Sequence, residues 1–201
     1  MEMPEGVQLM ELTPDKVKLL WDKLHVIDGL FDDMTRGNFQ YFVSRLQQPD
    51  SVWLEREDGN GILYLTSVIP GLSAFGHVVY WDKRLRGRED FTLSTLLWLM
   101  DMLSLRKINV WLPDYSKAAI AFVKRLGFKH EGTLRMWSYS NGKLFNMEAF
   151  GITQEEALNG RLHETGDGDV PRTVSGSSEQ VVHEQHGEDD TTDADTGDGG
   201  E

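Results

Sequence analysis

Residues 91–105, FTLSTLLWLMDMLSL, restrict the fold of this 201-residue chain more than any other segment. Their side chains are apolar on almost every side, and a helix of that composition has to be buried. A strand-like segment lies on either side of it, at residues 74–81 (containing HVVYW) and at residues 107–112 (KINVWL). Strands joined through a helix run parallel within one sheet. The sequence therefore predicts an α/β fold with this helix packed on a central sheet.

The rest of the pattern adds helices and antiparallel strands to this core. Asn141-Gly142 is the strongest hairpin signal in the chain, because both residues tolerate the positive φ angles of a tight turn. The predicted order is α-α-β-β-β-α-β-α-β-β. The elements besides the three above are helices over residues 13–24 and 38–47, a helix that starts at Pro113 and Asp114 and runs to about Leu126, and strands over residues 51–57, 62–68, 133–139 and 145–152.

Charge divides the chain into two parts. Residues 163–201 hold twelve acidic residues, one basic residue and no aromatic residue, whereas residues 1–162 hold 21 acidic and 19 basic residues. The acidic part has too little apolar surface to offset the entropy of ordering. We therefore expect a folded domain over residues 1–162 and a disordered acidic tail over residues 163–201. The tail either only solvates the protein, acts as a decoy for a basic partner, or covers a basic site of the same molecule.

Several classes of protein are disfavoured by composition. No apolar run reaches the ~18–20 residues that span a bilayer, and the acidic N-terminus lacks a secretion signal pattern. The chain has no cysteine, which rules out disulfides and thiolate ligands, and its six histidines show no metal-ligand spacing. We expect a cytoplasmic protein that binds neither a membrane nor a metal.

The loop before the apolar helix is basic. Residues 83–88 read KRLRGR, with Gly87 able to adopt a positive φ angle beside the start of the helix. Unpaired N–H groups and the positive end of the helix dipole favour an anion at such a point. A diphosphate suits this loop; the alternative is a solvated basic turn.

Residues 116–135, SKAAIAFVKRLGFKHEGTLR, resemble the C-terminal half of the GNAT superfamily of acyl-CoA N-acyltransferases. The stretch KRLGF, two residues and EGTLR is most similar to the branch of ribosomal-protein alanine and serine, polyamine and some aminoglycoside N-acetyltransferases. Residues 80–88, YWDKRLRGR, are similar to that branch's strand end and phosphate loop. The resemblance covers roughly residues 7–155. It implies a mixed central sheet with helices on both faces.

The resemblance also implies acetyl-CoA as co-substrate, with its diphosphate on the basic loop and its pantetheine beside the preceding strand. Glu89 departs from the family pattern, which has a small residue there, and a carboxylate is unfavourable unless it points away or pairs with Arg86 or Arg88. Val123 stands where many members carry a tyrosine that protonates the departing thiolate. The residues expected to contact the coenzyme are Val79, Tyr80, Trp81, Leu85, Arg86, Gly87, Arg88, Glu89, Asp90, Ser116 and Arg125.

The reaction implied is direct attack of an amine on the thioester. A base takes the amine proton, often through water, and a backbone N–H near Val79 and Tyr80 holds the oxyanion. A hydroxyl of Ser116 or Tyr115, or a water, could protonate the thiolate. Three of the candidate bases also have a non-catalytic interpretation: Glu57 as a solvated charge, His77 as a structural histidine, and Asp114 as a helix N-cap. The candidate bases are Glu57, His77, Asp114 and Glu148.

The acceptor is the part that the sequence leaves open. A protein N-terminus, a polyamine, an aminoglycoside and an amino-modified nucleobase all remain, so a protein or a nucleic acid is an open partner, and the protein is either a monomer or a homodimer. Two other functions also remain. One is a catalytically weak GNAT-fold binding module whose acidic tail engages a basic partner, and the other is an interaction protein whose tail mimics nucleic acid.

Overall fold

A computed structural model describes residues 2–27, 30, 31, 33, 35, 37–82 and 84–164. In that part of the chain, strands and helices follow one another much as the sequence predicts. The strands are β1 (Val7–Leu9), β2 (Val52–Arg56), β3 (Gly61–Ile69), β4 (Ser73–Tyr80), β5 (Lys107–Pro113), β6 (Lys129–Ser140) and β7 (Lys143–Thr153). The helices are α1 (Pro14–Leu24), α2 (Phe39–Leu46), α3 (Arg88–Met102), α4 (Lys117–Arg125) and α5 (Gln154–Glu164).

These strands form one mixed sheet in the order β1-β2-β3-β4-β5-β7-β6. Every neighbouring pair is antiparallel except β4 and β5, which α3 connects. That parallel pair spans only Ser73 to Phe75 on β4 and Lys107 to Asn109 on β5. Beyond these residues β4 remains paired with β3, and β5 with β7. The sheet is therefore open between β4 and β5 toward their carboxyl ends, and we call this gap the central opening.

Helices cover both faces of the sheet. Helices α3, α4 and α5 contribute to one apolar core, together with strand residues such as Leu63, Ile108 and Phe150. Helices α1 and α2 contribute to a second core, which contains Ile62 and Tyr64 of β3. Alternation along β3 explains the division, since successive side chains of a strand point to opposite faces.

Helix α3 is buried on nearly every side, as its composition predicts. Nine of its residues are buried, and they lie between Phe91 and Met100. It begins at Arg88, three residues before the predicted start, because Gly87 takes the N-cap position. The loop and the first turn of the helix are therefore continuous.

The predicted mixed fold with helices on both faces is confirmed, and further details differ from the prediction besides the start of α3. The sequence does not predict β1 or α5. The predicted helix start at Pro113 and Asp114 is wrong: Pro113 ends β5, where it pairs with Met147, and α4 begins only at Lys117.

None of the helices in the described part of the chain is both long enough and apolar enough to cross a bilayer. The expected acidic tail, residues 163–201, lies outside the described residues, apart from its first two residues, which belong to α5.

Candidate active site

Gly87 shapes the basic loop where it enters α3. Its φ angle is 68°, a left-handed conformation that favours glycine. A Cβ placed on Gly87 would have no heavy atom within 4 Å, so the space beside the loop is open. The first N–H groups of a helix have no partner within it, and the dipole there attracts negative charge. The loop therefore offers an anion an accessible helix N-terminus.

Hydrogen bonds of Tyr80 link the end of β4 to the first turn of α3. Its hydroxyl donates to the carbonyl oxygen of Arg88 at 2.9 Å and lies 2.7 Å from Oγ1 of Thr92. Thr92 in turn donates to the same carbonyl at 2.7 Å. Burial raises the pKa of Tyr80 to about 12, so the hydroxyl stays protonated. Thr92 is not singled out by the sequence analysis, although a polar residue four positions after Arg88 on a buried helix could have indicated it.

Two guanidinium groups lie beside the ring of Phe122. Those of Arg88 and Arg125 are 5.9 Å and 5.7 Å from its centroid. Nε of Arg88 is buried and has no hydrogen-bond partner among the described residues. A buried donor without a partner is costly, which marks this position as one that a ligand could satisfy. Arg86 is exposed on the same loop, and Lys83 lies outside the described residues.

Glu89 pairs with Arg125, a partner that the sequence analysis does not consider beside Arg86 and Arg88. Nη2 and Nε of Arg125 donate to the same carboxylate oxygen, at 3.0 Å and 3.2 Å. Partial burial acts to raise the pKa of Glu89, but hydrogen bonds from Arg125 and from its own backbone N–H lower it overall. The carboxylate is thus charged and held across the gap between α3 and α4.

A narrow apolar cavity of about 30 Å³ lies between α3, α4 and the strands β3, β4 and β5. A Cβ on Gly76 would approach Cγ2 of Ile108 to 2.9 Å, so only glycine fits on β4 at that point. Val123 is buried in the wall of the cavity, so its aliphatic side chain offers no hydroxyl there. The lining residues are Leu63, Gly76, His77, Val78, Thr92, Leu96, Ile108, Val110, Val123, Leu126 and Phe128.

The side of β4 that faces β5 has no strand partner in the described chain after Phe75. On its other side β4 is paired with β3 as far as Tyr80. Backbone groups of a strand point alternately to its two sides, so N–H and C=O groups between these residues face the central opening. An extended ligand can pair with them as a further strand would.

Val79 and Trp81 lie apart from this group. Their side chains pack against the core beneath α1 and α2, and Nζ of Lys23 lies 4.9 Å from the centroid of the Trp81 ring. Of the residues that the sequence assigns to the coenzyme, the structure therefore brings together Tyr80, Gly87, Arg88, Glu89 and Arg125.

His77 belongs to a ladder of stacked rings on the α1–α2 side. Its ring lies 4.4 Å from that of Tyr64, which lies 3.9 Å from that of Trp53. Nε2 of His77 is 3.1 Å from Oγ1 of Thr66. Burial, and to a smaller extent the charge of Arg45, lowers its pKa to about 4. The imidazole is therefore neutral at pH 7 and a weak base.

Asp114 and Ser116 follow the carboxyl end of β5, at the edge of the central opening. The Asp114 carboxylate accepts a hydrogen bond from Nδ2 of Asn146 at 3.1 Å. The side-chain oxygen of Asn146 accepts from the backbone N–H of Met136 at 3.0 Å, which links Asp114 to β6. Ser116, and not Asp114, is the N-cap residue of α4, and its hydroxyl makes no capping bond. Both side chains are half-buried.

The other two candidate bases, Glu57 and Glu148, do not lie beside Asp114 and Ser116. Glu57 is exposed after β2, which is two strands away from β4. Glu148 on β7 lies opposite Leu112, on the α4 side of the sheet. Hydrogen bonds from Thr133 at 2.8 Å and from His130 at 2.6 Å lower its pKa. Within the described residues no three His, Asp or Glu side chains are arranged to hold a metal ion.

An aromatic cluster, which the sequence analysis does not single out, borders the central opening on the α1–α2 side. The rings of Phe75 and Trp111 meet edge to face at 4.8 Å, and those of Trp111 and Trp137 at 5.7 Å. Trp111 is 39% exposed and Trp137 61% exposed. The alternation in KINVWL, which places Trp111 on the face opposite Ile108 and Val110, was the available signal.

The β6–β7 hairpin beside this cluster is tied to the segment between α1 and α2. The backbone N–H of Asp33 donates to the carbonyl oxygen of Tyr139 at 2.9 Å. The Asp33 carboxylate accepts from the N–H groups of Asn141 and Gly142, each at 2.9 Å. These contacts join the α1–α2 segment to the end of the hairpin.

Comparisons with known proteins agree with this architecture. No protein-family model matches the chain. A curated relative, the SPbeta prophage-derived uncharacterized N-acetyltransferase YokL of Bacillus subtilis (strain 168), is 21% identical over 159 residues, which cover 76% of this chain and 87% of the relative.

Solved structures with the same fold include spermidine N-acetyltransferases of Vibrio cholerae. The enzyme in complex with CoA and spermine is 15% identical, with a TM-score of 0.61 over 78% of this chain and 100% of that chain. A K23-Q34 chimera of the Vibrio cholerae SpeG enzyme and hSSAT is 16% identical, with a TM-score of 0.63 over 77% of this chain and 99% of that chain. The likeness to these structures confirms the predicted GNAT-like fold. These relatives are all named N-acetyltransferases.

Proposed function

We propose that the protein is an N-acetyltransferase that transfers the acetyl group of acetyl-CoA directly to a primary amine. One observation carries this proposal: a left-handed glycine, a helix N-terminus and two arginines lie at the end of a strand whose free edge borders an opening in the sheet. Coenzyme A combines a diphosphate with an extended amide chain, and this arrangement offers a partner to each. The named activity of the relatives supports the same reaction.

The coenzyme's diphosphate would lie on the N–H groups of residues 86–90. The backbone N–H of Leu85 already donates to the carbonyl oxygen of Asp82 at 3.3 Å, so we leave Leu85 out of the binding set. The pantetheine arm would pair with the free edge of β4 near Val78 and Val79. Its apolar segments would then border the cavity between α3 and α4.

Asp114 is our candidate for the general base. An amine with a pKa near ~10.4 is neutral in roughly one molecule in 2,500 at pH 7, so a base has to take its proton. Asp114 lies at the edge of the opening, whereas His77 is engaged in the ring stack and has a depressed pKa. Asp114 would act through a water molecule, with its carboxylate oriented by Asn146.

The chemistry transfers one acyl group. Once Asp114 has taken the ammonium proton through water, the neutral nitrogen forms a bond to the acetyl carbonyl carbon and the carbon–sulfur bond breaks. The second proton, which the nitrogen loses as the amide forms, balances the proton that the thiolate gains. A backbone N–H near Val79 would hold the oxyanion. The Ser116 hydroxyl or a water would return a proton to the thiolate, which with a pKa near ~8.5 is a tolerable leaving group.

The acceptor would approach from the α1–α2 side, because the coenzyme occupies the side of α3 and α4. There Phe75, Trp111 and Trp137 would form an aromatic wall, and such rings attract ammonium groups and planar molecules. The Vibrio cholerae structure holds spermine, which makes a polyamine the first acceptor to test. A protein N-terminus, an aminoglycoside and an amino-modified nucleobase complete the set.

Release of the CoA thiol from acetyl-CoA, measured with a panel of these four amine classes, tests the proposal. We expect release with at least one class, and we expect Asp114→Asn to lower kcat by roughly 10²–10⁴-fold. The dissociation constant of this variant for acetyl-CoA should change by less than about twofold, because Asp114 is proposed to act on the amine and not to contact the coenzyme. Binding of acetyl-CoA without release to any amine would instead support a binding module.

A further inference from the structure

The Glu89–Arg125 ion pair lies at the start of α3, where we propose that the coenzyme's phosphates bind. Glu89 is in the first turn of α3 and Arg125 is the last residue of α4, the two helices that wall the apolar cavity. Both hydrogen bonds of Arg125 go to a single carboxylate oxygen. The pair therefore links the two helices at one end of the cavity.

Glu89 imitates a phosphate in what it contacts. The Glu89 carboxylate accepts hydrogen bonds from the guanidinium of Arg125. A hydrogen bond from the backbone N–H of Glu89 also contributes to lowering the pKa of this carboxylate. That N–H is one of the unpaired donors at the start of α3, which are the groups that bind anions at helix N-termini. A carboxylate and a phosphate thus compete for the same donors.

The two partners are free to exchange. The side chain of Arg125 is 54% exposed and that of Glu89 is 32% exposed, and pairs this accessible are weak. A guanidinium binds the oxygens of a phosphate in the same forked geometry as those of a carboxylate, and a phosphate carries more charge. Arg125 also keeps its contact with the Phe122 ring, 5.7 Å away, which holds it near the site.

We propose that Glu89 is an internal competitor of the coenzyme's phosphate groups. Coenzyme binding transfers Arg125 from Glu89 to a phosphate, and Glu89 lowers the affinity for any ligand that carries one. Glu89 is then the residue that sets how strongly affinity depends on the phosphates, as opposed to the pantetheine arm. This inference rests on the proposed binding of acetyl-CoA.

Calorimetric titration of the full-length protein with acetyl-CoA tests the exchange. Glu89→Gln keeps the size of the side chain and removes its charge, so the dissociation constant should fall by about fivefold. Arg125→Gln should raise it by about tenfold, as expected when a charge-assisted hydrogen bond is lost. Glu131→Gln is the matched control: it breaks a similarly exposed ion pair, with Lys107, and should leave the constant unchanged.

The double variant separates exchange from simple repulsion. If Glu89 acts mainly by holding Arg125, adding Glu89→Gln to Arg125→Gln should lower the dissociation constant by clearly less than about fivefold, because only the competition for the helix N–H groups is then relieved. If Glu89 only repels phosphate, the fivefold gain would persist in the double variant, and the proposal would be wrong. Acetyl-pantetheine, which lacks the phosphates, should bind the wild type and Glu89→Gln equally.

The outcomes also distinguish this proposal from the function on which it rests. No binding of acetyl-CoA to the wild-type protein at millimolar concentration would overturn the transferase proposal itself. Binding that is unchanged in Glu89→Gln would overturn only the role of Glu89. Circular dichroism of each variant confirms that it is folded before it is titrated.

Discussion

Gly87 is the single residue on which the phosphate site depends most. Its left-handed φ of 68° is tolerated by Asn and Asp better than by other side chains, so two substitutions there share a shape and differ in charge. We expect Gly87→Asp to raise the dissociation constant for acetyl-CoA at least about tenfold relative to Gly87→Asn, because it adds a negative charge beside the diphosphate. Titration calorimetry measures both. Equal dissociation constants for the two variants would show that the loop does not bind the diphosphate.

Gly76 is needed for a different reason, because there is no room for a side chain at its position. A Cβ at Gly76 would lie 2.9 Å from Cγ2 of Ile108, so Gly76→Ala has to push β4 and β5 apart. We expect the free energy of unfolding to fall by roughly 1–3 kcal/mol, as overpacked cores do, and the affinity for acetyl-CoA to weaken. Urea denaturation measures the first effect.

Gly160 provides the control for this substitution. It lies within α5, and a Cβ there would meet no heavy atom within 4 Å. Gly160→Ala should stabilise the protein by about 0.5–1 kcal/mol through helix propensity alone. Destabilisation by both variants would mean that the contact with Ile108 is not the cause.

At the scale of elements, β6 presents Trp137 to the proposed acceptor side. Trp137 is 61% exposed and contacts Trp111 edge to face at 5.7 Å. We expect Trp137→Ala to raise the acceptor KM by about three- to tenfold with little change in kcat, since the ring would bind substrate and transition state alike. The KM for acetyl-CoA should stay the same, and Trp137→Phe should keep most of the acceptor affinity. If Trp137→Ala raised the KM for acetyl-CoA as much as the KM for the acceptor, Trp137 would not be specific to acceptor binding.

The elements that the sequence predicts well are those with strong local signals. Helix α3 is apolar all round, and the β6–β7 turn contains Asn141-Gly142. Strand β1 has three residues and only Val7 is buried, so it depends on pairing with β2, which no local pattern reveals. Helix α5 did carry a signal: Thr153 and Glu156 form a reciprocal capping box, with hydrogen bonds of 2.9 Å and 3.2 Å.

The candidate site likewise has parts with a local sequence signal and parts that depend on tertiary contacts. The basic loop and Gly87 are contiguous with the end of β4 and the start of α3, so their combination is visible in the sequence. The partner of Glu89 is 36 positions away, at the end of another helix, and depends on how α3 and α4 pack. The aromatic cluster likewise draws Phe75, Trp111 and Trp137 from three strands, and no local pattern in the sequence shows that their rings meet.

At the scale of the whole molecule, His77 makes stability depend on pH. Its pKa is about 4 in the folded protein against about 6.5 in an unfolded chain. Between these values the unfolded state binds more protons, so stability is complete above pH 6.5 and is lost as the pH falls toward 4.

Replacement of His77 tests this dependence. We expect the wild-type protein to lose about 2 kcal/mol more than His77→Gln between pH 7 and pH 5, because only the wild type takes up this proton on unfolding. Gln keeps a polar atom for the contact with Thr66. Urea denaturation at the two pH values gives the difference. The same loss in both proteins would show that other groups cause the pH dependence.

The account as a whole depends on where the coenzyme binds, and a crystal structure of the full chain grown with CoA measures that directly. We predict a diphosphate on the N–H groups of residues 86–90, a pantetheine arm along the free edge of β4, and Arg125 turned from Glu89 to a phosphate. A diphosphate bound elsewhere, with the loop at Gly87 contacting no part of the coenzyme, would contradict the account.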